Sequence, residues 1–354
     1  MRLKLPILLV VYVTCFFLQD NHLIIAESSA SQNPYSIQQK WPLSGAGGWG
    51  SLFVDTASHQ LYVPRTDRVA VIDTSTGKEL SEINGLVDAR SVALVPPGRY
   101  VYVTDVTDGK AGFVRVFERA TGKLVTSIST GRNPDAVVFE PGTKTVAVFS
   151  RRDQNATLVQ TKSNQVASVL RLPGFPAGAI VDGTGNIFVL IEDKNQLIRI
   201  DAKSGRDMST WELPACQAPT GLAIDAKNKL LFALCENRTL TIVRTDNGAL
   251  AATIELPGGG PGTVAFDAQR KLLFVADGGG GLIVIQQEDP EHYTVRQRLD
   301  ILPGSHVLAI DTSENRAYLI AAEYTTRTDD VSEELKLRPA PAAGKCSVIV
   351  VGPS

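Results

Sequence analysis

The chain has 354 residues, of which 44% are hydrophobic, 20% charged and 6% aromatic, with 30 Gly and 19 Pro. A normal apolar share and a formal charge of -2 exclude an intrinsically disordered chain, and the absence of a glycine period or heptads excludes collagen and coiled coil. Near-neutral charge also makes nucleic acid an unlikely partner, because binding the phosphate backbone needs a cationic face.

At the N-terminus, Arg2 and Lys4 precede the apolar stretch from Leu5 to Leu18, and small residues follow. This is the pattern of a secretory signal at 1–26, with cleavage after Ala26 or Ala30. The apolar stretch is short for a bilayer span. Retention as an N-terminal anchor is the competing reading. No later segment is long and apolar enough to cross a membrane as a helix. Cleavage after Ala26 loses Arg2, Lys4 and Asp20, which makes the chain one unit more negative. It leaves Cys216, Cys235 and Cys346, an odd number in a compartment that permits disulfides.

From about residue 35 onward two segments alternate. The first reads as two strands around a tight turn, beginning with 51–63 and returning at 91–103, 136–148, 178–189, 221–233, 263–275 and 307–319. Asp55, Val95, Glu140, Asp182, Asp225, Asp267 and Asp311 mark its register, spaced by about 43 residues. The second is another hairpin, clearest at Val69-Ala-Val-Ile-Asp-Thr-Ser-Thr-Gly-Lys78 and repeated at 113–123, 197–206 and 240–249. β-Branched residues alternate with others and glycine closes the turn, which is strand and hairpin chemistry. Sustained 3.6-residue periodicity is absent, so helices should be scarce.

Four short antiparallel strands per unit make a sheet that cannot bury both faces alone, but can when packed radially against copies of itself. Seven register marks predict an all-β, seven-bladed β-propeller over residues 35–354 as a single domain. The last unit runs out of chain after its third strand, at Cys346 to Val351. Ile37 to Leu43 resembles the fourth strands Ser209 to Pro214 and Ala252 to Pro257. The N-terminal segment is therefore expected to complete the last blade and close the ring. Blade seven also carries an insertion at 322–345, polar and acidic at first and then proline-rich.

Tyr102-Val-Thr-Asp105, Val71 to Lys78, Phe117 to Lys123, Pro134-Asp-Ala136 and Pro219-Thr-Gly221 together resemble the YVTN-repeat, YncE-like family of propellers, which is related to the lactonase-type propellers. The resemblance covers nearly all of the chain after the signal. It implies the propeller fold. It does not select a reaction, because these motifs build strands and turns.

By analogy with the fold, ligands would bind at one mouth of the central channel. The position before each first strand is Gly50, Arg90, Asp135, Ala177, Thr220, Gly262 and His306. The loops after the second strands supply Arg65, Asp105, Arg151, Arg152, Glu192, Glu236, Asp277 and Glu323, and Trp49 and Phe175 lie close by in sequence. Such a mouth suits a small anionic or hydroxylated ligand. His306 is the candidate acid or base, oriented by Asp135 or Glu323; the alternative is a structural bond to a loop carbonyl. Arg90 beside Asp135 is either a clamp for a carboxylate or phosphate or an ion pair between blades. No cofactor is predicted. Ca²⁺ is conceivable if Asp105, Asp108, Glu192, Glu236 and Asp277 converge, and no zinc set is recognisable. Cys216 and Cys235 fall in one blade toward the same mouth, where a disulfide would tie the loop before the first strand to the end of the second.

Three roles follow. The first is a periplasmic or secreted scaffold that binds a small ligand or a protein. The second is a lactonase-like hydrolase using His306 and mouth carboxylates, with or without a metal. The third is an accessory subunit of a redox system.

Overall fold

The computed structural model describes residues 34–45, 48–107, 111–206, 208–258, 260, 262–324 and 341–354. Strands make up 61% of the described residues. They form seven four-stranded antiparallel sheets at residues 53–84, 89–130, 134–171, 176–212, 219–255, 263–300 and, for the seventh, 308–353 together with 35–42, called blades one to seven. Among the described residues the only helical segments are two single 3₁₀ turns, Thr56–Ser58 and Glu192–Lys194. The first strand of each blade packs beside the first strand of the next, and that of blade seven beside that of blade one, so the inner strands complete a ring.

Why these residues make this ring is visible in the burial. Second and third strands are apolar on both faces: Leu230–Cys235, Leu272–Ala276 and Thr239–Arg244 are buried along almost their whole length. Fourth strands are exposed at most positions, as in Gln165–Arg171. The apolar faces meet in seven buried clusters, each spanning one interface between neighbouring blades. A single sheet would leave these faces wet; the ring removes them from water at about 25 cal/mol per Å².

The register marks have a chemical reason. The carboxylates of Glu140, Asp182, Asp225, Asp267 and Asp311 cap the turn between the first and second strands of their own blades. They accept backbone N–H bonds from Thr143 (2.7 Å), Thr184 (2.8 Å), Asn228 (3.1 Å), Gln269 (2.9 Å) and Ser313 (2.9 Å). Glu140 is fully buried and also accepts the N–H of Gly185 in blade four at 3.0 Å. Asp55 instead pairs with Arg119 of blade two, at 2.6 Å.

Ring closure follows the expected pairing. Tyr35–Pro42 lies antiparallel to the C-terminal strand, with Ile37 opposite Val351, Trp41 opposite Val348 and Pro42 opposite Ser347. Trp41 is buried against Tyr318, with ring centroids 5.7 Å apart. Gly77 lies under the Trp41 ring with φ +71°, so any Cβ there would both strain the backbone and collide with the indole. In blade seven the second and third strands remain paired out to Tyr324 and Pro341. Residues 325–340 of the insertion, and the proposed signal at 1–26, lie outside the described residues.

Candidate functional site

One cavity of about 400 Å³ opens at the mouth of the channel, within the size range of small-molecule sites. Of the seven positions before the first strands, Gly50, Arg90, Asp135, Ala177, Thr220 and His306 line it; in blade six the next residue, Thr263, does so beside Gly262. Trp49, Arg151 and Glu192 complete the polar and aromatic wall.

A local backbone device aims these side chains inward. In blades two to five the ladder between first and second strands breaks at its start: between Ala89 and Val92, Pro134 and Ala136, Pro176 and Ala179, and Pro219 and Gly221. Each break is a bulge that frees Arg90, Asp135, Ala177 and Thr220 from strand pairing and turns them toward the axis. In blades one and six the unbulged strand begins after glycine; Ser51 lines the cavity together with Gly50, and Thr263 lines it in place of Gly262. The inner strands approach so closely here that a Cβ on Gly50 would meet the Arg90 carbonyl, which accepts the Ser51 N–H at 2.8 Å.

Charges gather on the side formed by blades two, three and four. Arg90 donates through Nε to Asp88 Oδ2 at 2.8 Å and also contacts it through Nη2, while its Nη1 stands 3.7 Å from Asp135. Asp135 accepts a bond from Asn133 Nδ2 at 3.0 Å. Arg151 grips Glu192 with two parallel bonds of 2.5 and 2.9 Å, joining blades three and four, and stacks on Phe175 at 5.2 Å. That carboxylate holds the guanidinium pKa above its ordinary value.

The opposite side carries hydroxyls and an imidazole. Thr263 Oγ1 donates to the His306 carbonyl at 2.9 Å, and Thr220 Oγ1 to the Gly262 carbonyl at 3.3 Å. His306 Nδ1 lies 2.8 Å from the Gly304 carbonyl. A carbonyl only accepts, so Nδ1 carries a proton there. The Trp49 ring stands 6.4 Å from the imidazole.

The remaining candidates are placed elsewhere. Arg65 is buried behind the wall, where Nε donates to the Gly48 carbonyl at 3.2 Å and Trp49 bridges to its backbone; burial lowers its pKa. Asp277 is buried and accepts the Gly281 N–H at 3.0 Å, with Arg298 at 3.5 Å. Asp105 is fully buried and paired with Arg115 at 2.5 Å. Glu236 is exposed and does not line the cavity. The Glu323 side chain and Asp108 lie outside the described residues. Among the described residues, no three His, Cys, Asp or Glu side chains gather where a metal ion could be held. Asp88, Ser51 and Thr263 escaped the sequence reading. Their signal is adjacency, since each lies within two residues of a position before a first strand.

Cys216 and Cys235 form a disulfide with a Cα separation of 5.4 Å, and Cys216 lies four residues before cavity-lining Thr220. Cys346 is a buried free thiol. Burial raises its pKa, and the nearby Arg65 partly offsets that.

The fold and mouth define a seven-bladed β-propeller of the kind that WD40 repeats build. The chain is similar to the WD40 repeats of RRP9, with a TM-score of 0.70 and 11% identity over 90% of this chain and 99% of that one. U3-55K matches with a TM-score of 0.69 and 11% identity over 90% and 98% of the two chains. A chain of Kuenenia stuttgartiensis hydrazine synthase matches at 0.63 and 16% over 77% and 92%. At such identities the likeness is one of fold. No family model matches the sequence, and no curated protein does.

Proposed function

We propose that this chain is an exported binding propeller that takes a small polar ligand at the mouth of its channel. One observation carries the reading: six blades each turn their residue before the first strand onto a single cavity of about 400 Å³. A rigid ring with loops converging on one mouth is suited to binding or interaction. Membership of the YVTN-repeat, YncE-like group is part of the proposal and rests on Tyr102 to Asp105 and the repeated Thr-Gly-Lys turns. Export is supported by the basic and then apolar start of the chain and by the Cys216–Cys235 disulfide, which suits an oxidising compartment.

The test of binding is a thermal-shift screen of the chain from residue 27 onward against neutral sugars, carboxylic acids, phosphate and polyamines. Ala177→Trp, which fills the cavity from blade four, serves as the comparison. A ligand that raises the transition of the wild type and not of the variant supports the proposal. A screen in which no compound separates the two proteins overturns it. Export is checked by sequencing the N-terminus of protein recovered from the periplasm or medium; an intact Met1 in a cytosolic fraction would refute it.

A further inference from the structure

We infer a second binding site, separate from the mouth: the cleft between blades one and two takes a small molecule with a planar heteroaromatic ring of indole size. A cavity of about 570 Å³ opens there, within the range of small-molecule sites. Ser58, Thr121 and Gly122 line it from the turns that follow first and third strands, so it lies on the face of the ring opposite the mouth.

The ground is what fills the same place elsewhere in the molecule. The second strands of blades one, four and seven carry Tyr62, Phe188 and Tyr318, which pair with third-strand Val71, Arg199 and Val350. Two positions earlier on the third strand, Val69, Leu197 and Val348 pair with fourth-strand Ile83, Trp211 and Trp41. One position of the fold therefore holds tryptophan in blades four and seven and isoleucine in blade one. Each tryptophan lies beside the ring on its own second strand, with centroids 6.3 Å apart for Trp211 and Phe188 and 5.7 Å for Trp41 and Tyr318. Each also covers the glycine that closes the turn between the third and fourth strands of the next blade, Gly248 or Gly77, where a Cβ would collide with the indole. Gly122 closes the same turn in blade two, with φ +64° and its N–H on the Glu118 carbonyl at 2.8 Å. Apart from its chain neighbours, a Cβ there would meet only the Glu82 carbonyl, at 3.5 Å, and Ile83 comes no nearer than 4 Å. The cavity thus takes up the room that an indole fills at the other two interfaces.

The lining suits such a ring. Trp41 donates its indole N–H to Gln39 at 2.6 Å. Gln39 pairs with Val350 as Ser81 pairs with Val71, so Ser81 holds the Gln39 position in blade one. Ser81 lines the cavity, and its hydroxyl oxygen can accept the N–H of a ligand. Arg119 borders the cavity and is held by Asp55 at 2.6 Å and Gln60 at 2.7 Å. An aromatic ligand needs none of its N–H groups, because the face of the ring is attracted to the cation itself. The guanidiniums of Arg99 and Arg119 and the carboxylates of Glu82 and Glu118 line the same space, so neither sign of ligand charge is favoured.

The experiment is amide NMR of the whole chain with indole, 1-methylindole and cyclohexanol as probes. Indole is expected to shift the amides of Ser81, Gly98 and Gly122, while those of Arg90 and Thr220 at the mouth stay in place. Ser81→Ala should weaken indole about threefold to tenfold and leave 1-methylindole unchanged, because only indole brings an N–H. Ile83→Trp supplies from within the chain the ring that blades four and seven already carry. It should abolish the indole shifts and raise the thermal transition by about 2 °C or more. A transition lowered in Ile83→Trp, or indole shifts that persist in it, overturns the inference. So does an indole affinity unchanged in Ser81→Ala, or an equal response to cyclohexanol, which has no flat ring. Silence of Ser81, Gly98 and Gly122 with every probe overturns it as well. N-Acetyltryptophanamide stands in for a tryptophan on a partner peptide; if it alone binds, the ring belongs to a protein and the small-molecule assignment falls.

Discussion

Replacing Trp41 by alanine should loosen the ring where its two ends meet. The indole is 6% exposed and packs in the cluster shared by blades seven and one, against Tyr318 and over Gly77. A buried tryptophan withdraws about 150–250 Å² from water. At about 25 cal/mol per Å² the transfer contribution alone is about 4–6 kcal/mol, an upper figure because unfolded chains bury some of this area already. Measured large-to-small changes of this kind cost about 3–5 kcal/mol, so a loss near 4 kcal/mol is expected. The strand has a second hold, its backbone ladder to the C-terminal strand, which the substitution leaves in place. The variant should therefore fold as a propeller with a lower urea midpoint. Circular dichroism would follow the transition, with Met208→Ala as the control, since Met208 is exposed in the fourth strand of blade four. Limited proteolysis should cut the variant first before residue 43. A loss below about 1 kcal/mol, or cleavage elsewhere first, would show that the N-terminal strand is not what holds the ring shut.

Other outcomes can be stated more briefly. Breaking the disulfide with Cys216→Ser and Cys235→Ser together should lower stability by about 3 kcal/mol, the loop entropy of a separation of 19 residues; reduction of the wild type should match the double variant in a urea titration, and no difference between oxidised and reduced protein would refute it. Asp182 should matter in a pH-dependent way. Burial raises its pKa, but bonds from Asn186 and Thr184 outweigh that and leave it below the ordinary 3.8. A depressed folded value means that its contribution is complete above pH 3.8 and fades as pH falls through the folded pKa. Asp182→Asn should thus be less stable than wild type at pH 7, with the gap closing in acid. A gap that widens on acidification would contradict the assignment. The Tyr102 phenol, pushed up to about 12 by burial, should stay protonated in a spectroscopic titration to pH 11, which exposed tyrosines will not.

The sequence by itself determined the blades. Their number, order and closure rest on local patterns: alternating apolar residues, turn glycines, and a carboxylate such as Asp225 or Asp311 placed to cap the turn that follows it. Those forces act within a few residues, so a single chain displays them. The partner of the N-terminal strand was also readable, because Ile37 to Leu43 repeats fourth strands found elsewhere and one blade lacked one. The Cys216–Cys235 pair was readable as a candidate, since both ends fall in one blade. The chemistry of the mouth was decided only in three dimensions. That Arg151 is bound by Glu192, 41 positions on, and Arg90 by Asp88 rather than chiefly by Asp135, depends on rotamers and on the bulges that begin blades two to five. Arg65 and Asp277 follow second strands just as Arg151 and Glu192 do, yet they turn inward to satisfy buried backbone groups. Spacing brings a loop to the channel; whether its side chain meets water, a carbonyl or another charge depends on the neighbouring blade, which lies roughly forty residues away along the chain.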